Sequence, residues 1–211
     1  MLDDDYRELL NAKLAPANVL ATLAFAGLIQ ITFELAKQAI VDGVRDFYTI
    51  GFTPREDRYA RDVLSLNPQS KFLSSAQWLV KNEAITGAQV EVLERLRKHR
   101  HDIAHELAKY LVDLDFEPDI MLFGEALGVL RDIHRFWIQI EIDIGSFEAH
   151  GDVTVDDAVP GVLIALQFFI DSYVDSIERL HKATRDSGAA TTELRSTPAG
   201  PSRYSAASPQ S

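Results

Sequence analysis

The sequence predicts an all-α protein, a helical bundle of about four to five main helices. Apolar residues recur at helical spacing along most of the chain, capping signals stand at several helix starts, and no paired alternating segments indicate a sheet. With 211 residues and 46% hydrophobic content, the chain can bury one sizeable core. We therefore expect one bundle domain over residues 1–185. The segment 186–211, rich in Ser, Thr, Ala, Gly and Pro, is expected to be a disordered tail.

The first half of the chain begins with its most apolar segment. Pro16 opens this segment, which runs to about Tyr48. Its most apolar run, 19–33, is about 15 residues long and includes Gln30, whereas a membrane span needs roughly 20 apolar residues. A buried central helix and no membrane span are therefore expected.

Two short helices are predicted next. The sequence Thr53-Pro54-Arg55-Glu56 is typical of a capping box with proline at the first helical position, and it predicts a helix that ends near Leu64. Asn67-Pro68 predicts the start of a further helix, whose apolar residues have helical spacing.

The second half contains the longest predicted helices. A second capping box, Thr86 to Gln89, opens one of them, and Ile120 to about Ile144 forms the next. The end of the latter, IQIEIDI, alternates with a period of two and could be a strand; since no partner strand is visible, we assign it to the helix. The last helix has an apolar seam typical of bundles: Val159, Leu163, Leu166, Ile170, Tyr173, Ile177 and Leu180.

The composition narrows the classes of function. The chain has no cysteine, which excludes disulfides and thiolate metal sites, and its acidic start, MLDDDYRELL, is unlike a signal peptide, so a cytoplasmic location is expected. A net charge of −11 argues against broad electrostatic binding to nucleic acid. Any RNA contact must be local, and the only dense basic cluster is RLRKHRHDIAHELAKY, Arg95 to Tyr110.

Arg100 has an unusual position within this cluster. On a wheel of 100° per residue, the leucines and Ile103 of the helix lie within about 60° of Arg100, in the middle of the apolar stripe. A charge there is costly unless it is paired or has a function. One interpretation is a structural ion pair with a carboxylate on another helix, such as Glu34 or Glu125.

His105 lies on a different face of the same predicted helix. It is about 140° from Arg100 and is grouped with His101 and Ala108. On one straight helix, the side chains of Arg100 and His105 cannot meet. A kink between them, or a second copy of the helix packed alongside, would bring them together. We therefore expect a homodimer formed partly by this helix.

Two metal sites are alternatives for the histidines. His101 and His105 have the spacing of the HExxH zinc helix, but the intervening acid is Asp102 rather than Glu, and no third ligand stands out among His134, Glu141 and His150. The His101-Asp102 pair also resembles HD-type phosphohydrolases, which need an upstream histidine on another helix, whereas the only upstream one is His99. No metal and no cofactor are therefore expected.

The segment Arg100-His101-Asp102-Ile103-Ala104-His105 resembles the RNxxxH-type motif of the HEPN superfamily, with His in the position often held by Asn. The resemblance covers roughly residues 15 to 185. It implies a bundle of four or five helices, frequent homodimers and, in many members, metal-independent endoribonuclease activity in toxins or phage defence. Other members are non-catalytic binding modules or regulators. A further polar residue on an early helix is implied, with Glu34 as the candidate.

The residue types suit this chemistry. Cleavage of RNA without metal needs a base for the 2′-hydroxyl proton and a cation that stabilises the phosphorane. Four residues are the catalytic candidates: His105 as acid/base, Arg100 as phosphate clamp, and His101 and Asp102 as orienting groups. RNA, a second copy and an antitoxin or regulatory partner are the expected partners. The alternative is a non-catalytic interaction or regulatory protein in which Arg100 forms a structural ion pair.

Overall fold

The computed structural model describes residues 4–49, 56–151, 153–157 and 159–196. These residues form helices and turns, and none of them forms a strand, which confirms the all-α class. The helices are α1 (Asp4–Lys13), α2 (Pro16–Lys37), α3 (Gly43–Thr49), α4 (Glu56–Tyr59), α5 (Lys71–Lys81), α6 (Gly87–Val112), α7 (Ile120–Asp143) and α8 (Gly161–Ser196). Two π-helical turns, Gln38–Asp42 and Ala60–Leu64, and one 3₁₀ turn, Glu148–His150, complete the described elements.

The apolar helix α2 lies at the centre of the bundle, because α1, α6, α7 and α8 all pack against it. Its buried face includes Phe25, Ile29 and Phe33. Side chains of this kind each contribute about 1.5–3 kcal/mol when fully buried. The largest fully buried apolar side chains of the core are Ile29, Ile40, Leu79, Leu93, Leu96, Leu130, Ile133, Leu166, Val44 and Val63.

The helical stretch 16–49 is also long and apolar enough to cross a membrane, with a mean hydropathy of 1.8 over its most apolar window. Within that window, 39% of the residues are buried inside the bundle. The core helix of a soluble protein and a membrane span both satisfy such a test. The absence of a membrane span therefore stays a prediction.

Several helix starts agree with the sequence. Thr86 and Gln89 form the expected capping box at α6, and Asp119 caps α7 by accepting a hydrogen bond from the backbone N–H of Leu122. The IQIEIDI segment is helical up to Asp143, and Ile138 at its start belongs to the buried face of α7, whereas Ile144 is the exposed C-cap. Of the other capping box, Thr53 to Arg55 lie outside the described residues.

Two predicted boundaries differ from the structure. The helix expected from Asn67-Pro68 begins at Lys71, since Ser70 is the cap whose side chain accepts from the backbone N–H of Leu73. The boundary at residue 186 falls inside α8, which continues to Ser196. The rest of the predicted tail, 197–211, lies outside the described residues.

Gly43 allows α3 to approach α7 closely. A Cβ atom at this position would lie 2.8 Å from the indole of Trp137, whose Nε1 donates to the Ala39 carbonyl at 3.0 Å. Gly43→Ala is therefore expected to lower the free energy of unfolding by about 1–3 kcal/mol, as overpacking does. Gly124→Ala is the matched control, because nothing lies within 4 Å of its added Cβ, and it should raise stability by about 0.5–1 kcal/mol. Urea denaturation measures both changes, and equal effects would contradict this packing.

Candidate functional site

The helix α6 carries all four predicted catalytic residues, and they divide over two of its faces. Arg100 points towards α2, while His101 and His105 are exposed on the outer side. The helix kinks at Glu106, where φ is −124° and ψ is 22°. This kink comes after His105 and not between it and Arg100, so it does not bring their side chains together.

Arg100 is held at the contact between α6 and α2. Its Nη2 atom lies 3.1 Å from Oε1 of Glu34, and its guanidinium lies 5.4 Å from the centroid of the Phe33 ring. Gln30 fixes the same turn by donating from Nε2 to the Arg100 carbonyl at 3.2 Å. Arg100 is therefore positioned by three residues of one face of α2.

The ion pair between Arg100 and Glu34 is open to solvent on one side. The side chain of Arg100 is 34% exposed and that of Glu34 is 50% exposed, so Arg100 is less buried than its place in the apolar stripe suggested. A groove of about 520 Å³ borders Glu34 along α2 and is also lined by Gln30, Lys37 and Asp42. A pair exposed to this degree contributes about 0–1 kcal/mol, and a phosphate group can compete with Glu34 for the guanidinium.

His101 and His105 form a contact pair on the exposed face of α6. Their ring centroids are 4.3 Å apart and their planes are inclined by 54°. Asp102 makes no hydrogen bond or ion pair with any described residue, and its charge acts on His99 and Tyr110. The structure therefore places His101 beside His105, and Asp102 on the side of His99.

Most of the basic cluster is neutralised inside the chain. Ion pairs join Arg95 to Glu125, Arg97 to Glu94, and Lys109 to Glu106. Arg100 pairs with Glu34, so Lys98 is the one lysine or arginine side chain of this cluster that forms no ion pair with a described residue. The positive charge available to RNA is therefore small and local, as the composition of the whole chain indicates.

His99 has a structural function that the sequence did not reveal. Its Nε2 atom accepts a hydrogen bond from the backbone N–H of Asp119 at 3.0 Å, and its ring contacts Tyr110 edge to face. The hydrogen bond joins α6 to Asp119, the N-cap residue of α7. Burial lowers the pKa of His99, and the carboxylates of Asp119 and Asp102 oppose this shift.

The stability of the fold should fall when the pH decreases below about 6.5. Burial lowers the pKa of both His99 and His134, so the unfolded chain binds more protons than the folded chain below the ordinary histidine pKa of 6.5. The contribution of the two neutral histidines to stability is fully present above pH 6.5. It is lost progressively as the pH falls towards their lowered pKa values in the folded protein. Urea midpoints between pH 7.5 and pH 5 measure the effect, and His99→Gln should reduce the slope. A wild-type midpoint that rises on acidification would contradict it.

The described residues contain no group of three or more His, Asp or Glu side chains that could hold a metal ion. A zinc helix would require a third protein ligand beside His101 and His105, and the described part of the chain places none there.

Gln30 and Phe33 are the site residues that sequence reasoning missed. Both contact Arg100 across the interface between α2 and α6. The sequence of α2 does not predict these contacts, because hydrophobic periodicity shows which face of a helix is buried but not which helix packs against it. Glu34, by contrast, is a partner that the sequence predicts for Arg100.

No known family, no curated protein and no solved structure matches this chain.

Proposed function

We propose that the protein is a metal-independent endoribonuclease of HEPN type. The observation that carries the proposal is the arrangement on α6: an arginine that pairs with Glu34, a residue lining a solvent-open groove, followed by an exposed pair of histidines. A guanidinium that already pairs with one carboxylate oxygen has the planar geometry to take a phosphate oxygen in its place. The Phe33 ring lies against the guanidinium, and Gln30 holds the backbone of Arg100, so both keep the residue in position during that exchange.

The reaction follows from these groups. A base removes the proton of a 2′-hydroxyl, the 2′-oxygen attacks the adjacent phosphorus, and the bond from phosphorus to the 5′-oxygen breaks as that oxygen gains a proton. His105 is the acid/base, His101 supports it through the ring contact, and Arg100 stabilises the charge of the phosphorane. The products are a 2′,3′-cyclic phosphate and a 5′-hydroxyl. Unpaired RNA is the expected substrate, since its nucleotides can adopt the in-line geometry.

A second copy of the chain completes this site in our proposal. In-line displacement needs groups on opposite sides of the phosphate, and the rings of His101 and His105 are in contact, so no phosphate fits between them. Arg100 faces α2 instead of His105. We propose that a two-fold pairing of α6 brings the histidines of one protomer towards the edge of the partner's α2–α6 contact, where the partner's Arg100 is one-third exposed.

We expect the protein to be a homodimer at micromolar concentration. Ala108 is exposed on the same side of α6 as His101 and His105, so Ala108→Arg should prevent close pairing, yield monomers and remove RNA cleavage. Ala88→Arg, near the start of the same helix and on another face, is the matched control and should stay dimeric. Light scattering gives the mass, and a monomeric wild-type protein would contradict the expected assembly.

As the resemblance to the HEPN superfamily implies, we further propose that the protein acts in the cytoplasm as a toxin or a phage-defence nuclease, with an antitoxin or regulatory partner. Expression of the wild-type chain in bacteria should arrest growth, and His105→Ala should remove the arrest. Arg58→Ala, at an exposed arginine on α4, is the control and should remain toxic. Normal growth of cells with soluble wild-type protein would count against the proposal.

A non-catalytic interaction or regulatory protein is the second candidate. One observation favours it: Glu34 already pairs with Arg100, and three other basic residues of the cluster also have acidic partners. In that case the ion pair serves the packing of α6 on α2. His105→Ala would then leave both growth and RNA unchanged.

A further inference from the structure

A groove at one end of the bundle has mostly apolar walls. It lies between α1, the first turns of α2 and the loop 113–119 that joins α6 to α7, and its volume is about 490 Å³. Leu9 of α1, Phe25 of α2 and Phe116 of the loop are among the residues that line it. Ligand pockets in proteins occupy roughly 300–1,000 Å³, so an apolar side chain can enter a groove of this size.

Apolar surface continues beyond the mouth of this groove. Ile120, which lines it, is 68% exposed, and the next residue, Met121, is 76% exposed. Val112, at the other end of the loop 113–119, is also exposed. Clustered apolar surface of this kind is typical of protein interaction sites, and methionine adapts to partner surfaces of different shape. The apolar surface open to a partner is therefore larger than the groove itself.

The loop 113–119 makes this end of the bundle acidic. Its sequence, DLDFEPD, has four carboxylates and no basic residue, and none of the four forms an ion pair with a described residue. Asp113 accepts a hydrogen bond from the backbone N–H of Asp115, and Asp119 accepts one from the backbone N–H of Leu122. Backbone donors carry no full charge, so the loop keeps its negative charge.

Lys13 is the one basic side chain among the described residues that line the groove. Its Nζ atom donates to the backbone carbonyl of Phe116 at 2.6 Å and also to that of Asp113, the C-cap of α6. Carbonyls at the C-terminus of a helix carry partial negative charge and hold a cation in place. One ammonium against the four carboxylates of the loop 113–119 leaves a surplus of three negative charges.

The neighbouring stretches of α1 and α6 add no unpaired cation among the described residues. α1 has three carboxylates beside the bases Arg7 and Lys13, and Arg7 pairs with Asp4. At the end of α6, Lys109 pairs with Glu106. The surplus of negative charge therefore extends over the described elements around the groove, which we call the acidic groove.

Aromatic rings form a further part of the walls. Tyr110 contacts Phe116 edge to face, with ring centroids 5.7 Å apart, and the centroid of Tyr173 lies 6.0 Å from that of Phe25. All four rings line the acidic groove. The faces of aromatic rings attract cations as well as apolar groups. The walls thus suit a ligand that combines hydrocarbon with positive charge.

We propose that the acidic groove docks a basic amphipathic segment of a partner protein, with an apolar side chain in the groove and Lys or Arg side chains beside the loop 113–119. The apolar walls select the anchor, and the surplus of negative charge selects the flanking cations. A second copy of this chain, with its net charge of −11, would bring like charges together here. The groove does not include Arg100 or His105, so this inference does not depend on RNA cleavage.

A short fluorescein-labelled helical peptide of Leu and Lys is the probe, and fluorescence anisotropy with the full chain is the measurement. The peptide should bind saturably, with one peptide per chain. One control peptide has Glu in place of every Lys, and the other has Ser in place of every Leu. Each control should bind at least about tenfold more weakly. Absence of saturable binding, or equal binding of either control, overturns the proposal.

Charge variants locate the site on the chain. Asp115→Asn combined with Glu117→Gln should weaken binding of the Leu–Lys peptide about three- to tenfold, because each exposed charge contributes modestly to an interface. Glu91→Gln combined with Glu141→Gln is the matched control: it removes the same charge at two exposed glutamates outside the groove and should bind as wild type does. Equal losses in the two double variants would show attraction to an acidic chain in general and overturn the proposal.

A second pair of variants tests the apolar contact. Ile120→Ser should weaken the Leu–Lys peptide about tenfold, and its high exposure leaves the fold intact. Ile144→Ser is the matched control, because Ile144 is 69% exposed at the opposite end of α7, and it should bind as wild type does. By light scattering, Ile120→Ser should keep the wild-type mass. A lower mass would show that a second copy covers the groove, and this result, like unchanged peptide binding, overturns the proposal.

Discussion

Replacing His105 by alanine is expected to lower the rate of RNA cleavage by about 10²–10⁴-fold, the usual loss when a general acid/base is removed. The side chain is exposed on α6 and contacts the ring of His101, so the substitution removes no part of the core. The loss should therefore appear in the rate at saturating RNA. Cleavage of a short fluorescent RNA at several concentrations measures it.

The control for this variant is its own stability. Circular dichroism and the urea midpoint of His105→Ala should match the wild type within error, because exposed substitutions of this kind usually change stability by less than about 0.5 kcal/mol. His99→Ala, by contrast, removes the hydrogen bond to the Asp119 backbone and should unfold at lower urea. If His105→Ala were folded and fully active, His105 would not be the acid/base.

Arg100→Lys should have the second-largest effect, a loss of about 10²–10³-fold in the rate of cleavage. The ammonium keeps the positive charge but cannot offer the planar pair of donors that binds two oxygens of a phosphate. It also gives up much of the contact with the Phe33 ring. Lysine nevertheless retains an attraction to Glu34, so the contact between α6 and α2 should persist.

Arg97→Lys is the matched control for Arg100→Lys. Both arginines lie on α6 and both pair with a glutamate, but Arg97 pairs with Glu94 within the same helix, whereas Arg100 pairs with Glu34 of α2. It should cleave RNA at the wild-type rate. Equal losses in the two variants would show that general positive charge on α6 matters, and not a phosphate clamp at Arg100.

The fold could be predicted because its signals are local. Apolar spacing over 16–48 predicted one long helix, and the Thr86 capping box located the start of α6 to the residue. The start of α5 was misplaced because two adjacent signals compete, Asn67-Pro68 and Ser70, and the hydrogen bond from the Leu73 backbone decides in favour of Ser70. Such boundaries depend on single hydrogen bonds, which periodicity does not report.

The site could be predicted only in part, since it depends on contacts between helices. The wheel placed Arg100 on the inner face and His105 on another face, and the structure agrees with both. The wheel suggested that Arg100 is buried, whereas the edge of the α2–α6 contact leaves a third of its side chain open. The function of His99 depends on the packing of α7, since its partner Asp119 lies 20 residues further along the chain.

The most direct test of the central claim is a cleavage assay in EDTA with purified wild-type protein and His105→Ala prepared in parallel. We expect the wild type to cut unpaired RNA at the same rate with and without EDTA, and mass spectrometry to find 2′,3′-cyclic phosphate ends. His105→Ala should leave the RNA intact. Equal, slow degradation by both proteins, or cleavage that EDTA abolishes, would contradict a metal-independent site formed by Arg100 and His105.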